Sequence, residues 1–439
     1  MKPRDKRSAK LLDSAMRSHQ SGQLGSARAQ YEEVLSRRPD DPDALHFYGV
    51  LQHNLGSSAE GIASIRRSLE VAPDNPHAWL NLGNISLELE RCAEAKAAYE
   101  RSSTLEPKLA DAWYNLGICL RKMEDPPGAV QALGRALDLR PGHAPSAYQR
   151  GIARRDTGDL AAAEADFRRA LELNPGYVEV YESLGMLLYR QNRILDAAKV
   201  YQAWAQRDPS SSTAVHMAAA TSGCAVPERG SDAYIKDTFD RFAATFDQNL
   251  ANLGYQAPQL VTAALSKALP PGTMLDCVLD AGCGTGLCAP LLRPGARRLW
   301  GVDLSSKMVE AARSKGHYDE LFVDELCRFM RGYRALFDAI VCADTFVYFG
   351  ALQEAFAAAA HCLKPLGLLV MTLEELPAAA GEDYRLEPHG RYSHRLEYLR
   401  EVLTSSGFSL LGADTQVLRH ERGEDVRGLV LCAVRASAD

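Results

Sequence analysis

The sequence predicts two dissimilar halves: an all-α array of helical hairpins, then an α/β domain built on a mainly parallel sheet. Three observations lead there. A 34-residue period runs through the first half and stops after Pro209. Beyond it, short apolar runs typical of buried strands alternate with helical segments. One of those runs ends in a glycine-rich turn, Gly282-Cys283-Gly284-Thr285-Gly286. At 439 residues the chain is also too long for one ordinary core.

The period is carried by particular residues. Prolines recur at Pro39, Pro73, Pro107, Pro141, Pro175 and Pro209, and glycines at Gly49, Gly83, Gly117, Gly151 and Gly185. Small residues follow at Gly61, Ala95, Ala129, Ala163 and Ala197, then large ones at Ile65, Tyr99, Leu133, Phe167 and Tyr201. Such spacing describes a helical hairpin in which two helices approach closely over the glycine and a proline stops the second. One hairpin buries too little by itself, so neighbours stack into a superhelix.

With the aromatic before Leu-Gly in Trp79-Leu80-Asn81-Leu82-Gly83 and Trp113-Tyr114-Asn115-Leu116-Gly117, this pattern resembles the tetratricopeptide (TPR) family. The resemblance covers residues 8–211 as six repeats, the first carrying Ala15 in the glycine position. It implies a concave surface for a protein or peptide partner, with a rigid spacer or a dimerisation surface as the alternatives. One known use of such arrays clamps a terminal carboxylate. Asn84 and Asn115 occupy two of its positions, but Leu80, Pro145 and Gln149 fill the others, which argues against that use.

Residues 212–232 read as a closing helix, near 213–220, and a turn-rich linker; residues 233–437 read as the second domain. There a strand, Cys277-Val278-Leu279-Asp280, runs into the glycine turn. A second, Leu299-Trp300-Gly301-Val302-Asp303, ends on an acid, and Ser305 is placed to cap the next helix. Glycines let backbone approach a ligand, and an acid there can accept both hydroxyls of a ribose.

Asp280 with Gly282-x-Gly284-x-Gly286 resembles motif I of class I methyltransferases, and Asp303-Leu304-Ser305 followed by Met308-Val309-Glu310 resembles their next motif. The implied domain is an α/β Rossmann-like class I methyltransferase fold. The implied cofactor is S-adenosylmethionine, leaving S-adenosylhomocysteine, with no metal. By that resemblance Asp280, Ala281, Gly282, Gly284 and Gly286 surround the methionine part. Asp303 holds the ribose, and Glu325 and Leu326 meet the adenine, with the acidic register open between Glu325 and Asp324; Leu304 belongs to the same cofactor-binding set. Asp344, at the end of Phe337–Asp344, lies near the sulfur. Pro365–Met371 reads as a turn and fifth strand, and residues from 406 onward as two final strands.

Tyr348, Arg391, Tyr392 and His394 are candidates for the acceptor pocket; Tyr348, Arg391 and His394 are the catalytic candidates. Arg391 and His394 either orient or deprotonate an acceptor or hold a loop by hydrogen bonds. Tyr234, Phe239, Phe242 and Phe246 recur at helical spacing, as a lid over the cofactor or as a core stripe. Cys283 and Cys288 read as packed thiols. Glu374 and Glu375 follow the fifth strand rather than the fourth, which disfavours protein-arginine methylation. Including Phe239-Asp240-Arg241-Phe242 and Gly390–His394, the chain resembles the bacterial family of TPR-repeat-containing methyltransferases, whose acceptor is unassigned.

Composition narrows the function classes. Net charge is −6, which disfavours nucleic acid as the main partner. No apolar run suits a membrane span, and the basic N-terminus (Lys2, Arg4, Lys6, Arg7) lacks the apolar stretch of a secretory signal. Ten cysteines without a CxxC pair suit a cytoplasmic protein with reduced thiols. The leading expectation is a methyltransferase acting on a protein or peptide recruited by the repeats. The alternatives are a small-molecule methyltransferase whose repeats serve assembly, and a non-catalytic adaptor. The sequence leaves the oligomeric state open.

Overall fold

The computed structural model describes residues 6–421 and 423–437; Lys2 and Arg4 of the basic N-terminus lie outside them. The chain divides into two compact units, Met1–Leu187 and Leu188–Asp439.

The first unit is a succession of antiparallel helix pairs: α1 (Lys6–Gln20) with α2 (Leu24–Arg37), and α3 (Pro42–Asn54) with α4 (Ser58–Val71). Next come α5 (Pro76–Glu88) with α6 (Cys92–Leu105), and α7 (Ala110–Lys122) with α8 (Pro126–Leu139). The last pair is α9 (Ala144–Asp156) with α10 (Leu160–Leu173), and the unit boundary falls within α11 (Val178–Arg190). Local chemistry sets the helix starts. Asp41 accepts from Ala44 N at 3.2 Å ahead of Pro42, and Asn75 caps α5 ahead of Pro76.

The periodic glycines face the periodic large residues. A Cβ on Gly83 would lie 2.6 Å from the Tyr99 ring, and one on Gly151 2.7 Å from Phe167. At Gly49 it would meet the Gly61 carbonyl oxygen at 2.6 Å and Ile65 Cγ1 at 2.7 Å. Ile65, Tyr99, Leu133 and Phe167 are fully buried, each worth about 1.5–3 kcal/mol of transfer free energy. In two repeats the aromatic before Leu-Gly ties the hairpin to the preceding turn. Trp79 Nε1 donates to Pro73 O at 2.8 Å, and Trp113 Nε1 to Pro107 O at 3.0 Å.

The second unit begins with α12 (Ile194–Arg207) and α13 (Ser212–Ser222), which packs on α12 where the closing helix was expected. Three helices follow: α14 (Asp232–Phe242), α15 (Phe246–Asn252) and α16 (Ala257–Ala268). The sheet then starts with β1 (Leu275–Ala281), α17 (Ala289–Leu292), β2 (Ala296–Asp303), α18 (Ser306–Lys315), β3 (Glu320–Val323), α19 (Leu326–Arg331) and β4 (Phe337–Cys342). It continues through α20 (Gln353–Cys362), β5 (Leu363–Glu375), β6 (Tyr384–Leu386), β7 (Tyr392–His394), α21 (Leu396–Ser405), β8 (Phe408–Glu421) and β9 (Glu424–Arg435).

Strands β3-β2-β1-β4-β5 are parallel, and β9 joins β5 antiparallel with β8 outside it. Cys277, Leu279 and Ala281 pack towards α19, α20 and α21, and Val278 towards α16 and α17, so helices cover both faces. The turn expected at Pro365–Gly367 lies inside β5 as an irregularity: Leu366 takes φ 64° and the register against β4 shifts there. Near its end β5 pairs on both edges, Glu374 opposing Gly428 of β9 and Ser393 of β7. The β6–β7 hairpin is thereby held at the carboxyl end of the sheet.

Gly49→Ala is expected to lower the thermal midpoint although alanine is the better helix former. The backbone oxygen of Gly61 cannot turn aside, and overpacking of this kind costs about 1–3 kcal/mol. Circular dichroism melting curves check it; an unchanged or raised midpoint would contradict the close-approach role.

Candidate functional site

The carboxyl ends of β1, β2 and β4 converge on a cavity of about 230 Å³. In parallel α/β sheets the backbone diverges here and leaves a crevice. The glycine turn forms one wall. Gly282 N and Cys283 N both donate to Val302 O, at 2.9 and 3.0 Å, which joins the turn to β2. Gly284 lines the cavity with φ 52°, and a Cβ there would meet nothing nearer than Phe246 Cε1 at 3.8 Å, across the open space.

Asp303 ends β2 against that turn. Its Oδ2 accepts from Gly284 N at 2.9 Å and its Oδ1 from Ser305 N at 2.8 Å. Burial pushes its carboxyl up, opposed by these N–H groups. Ser305 in turn caps α18 through Met308 N. Leu304 and Leu326 supply apolar wall, with Asp324 and Glu325 beside them. Glu325 is the N-cap of α19, accepting from Cys327 N at 3.1 Å and Arg328 N at 2.8 Å, and it pairs with Arg229 Nη1 at 2.8 Å. Burial pushes that carboxyl up, but these contacts outweigh it and leave it below the ordinary range.

At the opposite end, Asp344 sits just past β4 with φ 52°. It accepts from Thr372 Oγ1 at 2.7 Å and from Arg419 Nη1 at 2.8 Å. Arg419 of β8 also donates to Glu421 at 2.6 Å and to Glu374. Arg391 donates to Glu374 at 2.6 Å and to Glu421 at 2.7 Å. His389 Nε2 lies 3.1 Å from Glu374 Oε2. Arg419 is 3 % exposed, so this is a buried ionic network at the cavity's end.

The segment before β1 supplies the remaining wall. Phe239 and Phe246 face the cavity with Leu250 and Leu253, whereas Phe242 is exposed and Tyr234 stacks on His216 at 3.8 Å between centroids. The aromatic spacing therefore serves both the cavity and the core. Two carboxylates hold the segment down: Asp240 accepts from Ser305 Oγ at 2.5 Å, and Asp247 accepts from Thr285 Oγ1 and, at 2.6 Å, Lys315 Nζ.

Of the sequence candidates, Gly282, Gly284, Asp303, Leu304, Glu325, Leu326, Asp344, Tyr348 and Arg391 line the cavity. Asp280, Ala281 and Gly286 stand behind the wall. Asp280 is 1 % exposed and accepts from Tyr318 Oη at 2.6 Å; burial pushes its carboxyl up to about 7. His394 is the correction among the acceptor candidates. Fully buried on β7, it meets Gly350 O through Nε2 at 3.1 Å and stacks on Tyr398, and burial lowers it to about 4. It is outside the cavity lining, as is Tyr392, whose hydroxyl donates to Pro227 O at 2.6 Å. Cys283 and Cys288 are buried with thiols pushed up by burial, as packed residues would be.

Sequence reasoning missed Arg229, Tyr255, Thr345, Arg419 and Glu421, all of which line the cavity. Only Arg419 carries a usable signal, a long cation directly after Val417-Leu418 in a strand. Among the described residues no group of three or more His, Cys, Asp or Glu is placed to hold a metal ion. No described helix is long and apolar enough to cross a membrane.

Glu374 and Glu421 sit below their ordinary pKa because the guanidiniums outweigh burial, so their stabilisation is full above about pH 4.3 and is lost below it. Asp280 sits above its ordinary value of about 3.9, so stability falls as pH rises from about 4 through about 7. Urea unfolding of Asp280→Asn should flatten that upper limb; an identical slope would contradict the assignment. Arg419→Met strands three buried or half-buried carboxylates and should cost about 3–5 kcal/mol at neutral pH in the same assay. A loss under about 1 kcal/mol, the scale of an exposed pair, would mean the network is solvated.

Both halves of the chain resemble known proteins. A methyltransferase-domain family matches residues 279–371, and tetratricopeptide-repeat families match residues 19–76, 76–109, 110–143 and 148–212. The human methyltransferase-like protein 27 is 37% identical over 143 residues, 30% of this chain and 55% of that protein. A ubiquinone biosynthesis O-methyltransferase of Xanthomonas oryzae pv. oryzae is 30% identical over 130 residues, 27% of this chain and 54% of that protein. The chain thus spans about half the length of these curated relatives. A solved structure of PilF from Pseudomonas aeruginosa is 18% identical with TM-score 0.43, covering 48% of this chain and 96% of that one. The chain joins a run of tetratricopeptide repeats to a class I methyltransferase domain.

Proposed function

We propose that the protein is an S-adenosylmethionine-dependent methyltransferase acting on a protein or peptide recruited by its repeats in the cytoplasm. The observation that carries the first part is the Asp303 carboxylate, fixed at the cavity wall beside Gly284, where any side chain would enter the space. The lining fits a cationic sulfonium cofactor. Asp232, Asp303, Asp324, Glu325, Asp344 and Glu421 outnumber Arg229, Arg391 and Arg419. Asp303 has acceptor capacity left for ribose hydroxyls, and Leu304 and Leu326 offer an apolar slot flanked by Asp324 and Glu325 for a purine with an amino group.

When bound, S-adenosylmethionine supplies an electrophilic methyl group on its sulfonium. The protein's part is alignment. The tethered wall of Phe239, Phe246 and Leu250 excludes water, and Asp344, held by Thr372 and Arg419, fixes negative charge beside the cavity's far end. Positioning of this kind is worth up to about 7–11 kcal/mol. The recruitment part rests on the repeats, whose stacked hairpins are built to hold a peptide or partner.

Calorimetric titration of the full chain with S-adenosylmethionine and S-adenosylhomocysteine tests the enzyme reading. Micromolar binding is expected, weakened at least tenfold by Asp303→Ala and by Gly284→Val. No binding by the correctly folded wild-type chain would overturn it.

A further inference from the structure

Resting on the methyltransferase reading, we propose that the acceptor is a carboxylate, converted to its methyl ester at the Arg391 end of the cavity. The argument starts from what that end lacks. Among the described residues no histidine and no lysine lines the cavity. His394, the side chain that sequence reasoning offered as a base, is turned into the core against Gly350.

The carboxylates at this end are already engaged. Asp344 is held by Thr372 and Arg419, and Glu421 by both Arg391 and Arg419. Burial pushes the Glu421 carboxyl up, but the two guanidiniums outweigh it and keep the group below the ordinary carboxylate range, a poor proton acceptor. Burial pushes the Asp344 carboxyl up, but both of its oxygens are already taken, by Thr372 and by Arg419, so an amine or a phenol would arrive protonated and meet a carboxylate that is already engaged. A carboxylate arrives already ionised.

What the end does offer is donors. Tyr255 and Tyr348 line the cavity, and among the described residues neither hydroxyl has a hydrogen-bond partner. Burial raises both phenols, which keeps them protonated. Arg391 uses Nε and Nη2 on Glu374 and Glu421, and its Nη1 has no partner among the described residues. A guanidinium N–H and two phenolic O–H groups on residues that line one end of the cavity form a receptor for a carboxylate, because an ionised acceptor makes the strongest use of such donors. Phe239 and Leu253 give the acceptor's body an apolar wall.

The step balances without a proton. A carboxylate oxygen forms a bond to the methyl carbon, the carbon–sulfur bond breaks, and its electron pair stays on sulfur. An anion and a cation become a neutral ester and a neutral thioether. Loss of charge on the acceptor also weakens its hold on Arg391, which favours product release.

The test uses the full chain saturated with S-adenosylhomocysteine and three probes of one shape: 3-phenylpropionate, 3-phenylpropionamide and 3-phenylpropylamine. Calorimetry should show the carboxylate binding at least tenfold more tightly than the amide or the amine. Tyr255→Phe and Tyr348→Phe should each erase most of that preference while leaving S-adenosylhomocysteine affinity within about twofold. Equal binding of the three probes, preference for the amine, or no binding of the carboxylate would overturn the proposal. Failure of the wild-type chain to bind S-adenosylhomocysteine would instead sink the methyltransferase reading beneath it.

Discussion

The carboxylate of Asp303 spans the ends of two strands, and the candidate site depends on that one bridge. Gly284 N reaches it from the turn after β1, and Ser305 N reaches it from the start of α18. An ionised group accepting two backbone N–H bonds fixes its neighbours more firmly than a neutral one would. The glycine turn, the first helix after β2 and the cavity wall therefore share a single anchor. The Ser305 side chain extends it, donating to Asp240 and tying the preceding α14 to the same corner.

The other end of the cavity is built on a different principle. Three carboxylates and two arginines from β5, the β6–β7 hairpin, β8 and the turn after β4 satisfy one another in a buried to half-buried network. Such a network adds little net stability over a well-packed apolar alternative, and breaking one member is costly. Its value is positional: it fixes Asp344 and Arg391 at the cavity while spending the basicity of Glu421. The Asp303 end of the cavity presents a fixed carboxylate, and the Asp344 end presents the Tyr255 and Tyr348 hydroxyls.

Much of the architecture was legible because it rests on short-range rules. A 34-residue period predicts the hairpins, and the close helix approach expected over the periodic glycines is found, as where Gly83 lies against the Tyr99 ring. The strand–turn–strand–acid order placed Gly284 and Asp303 together, since both lie at ends of neighbouring parallel strands. Adjacency in a motif did not reveal orientation. Asp280 is two residues from Gly282, yet it lies outside the cavity lining, buried and accepting from Tyr318 Oη. The acceptor end was hardly legible. Arg419 meets Asp344 across 75 positions of sequence through a β8 register that no local pattern encodes. His394 was a candidate for the acceptor pocket, but the pairing of β7 with β5 carries it into the core.

The central claim is where the cofactor lies, and a crystal structure of the full chain with S-adenosylhomocysteine tests it most directly. The account predicts ribose hydroxyls on Asp303, the purine against Leu326, and the thioether towards Asp344 with Tyr255 and Arg391 beyond it. Product bound elsewhere, or a ribose that leaves Asp303 untouched, would contradict it.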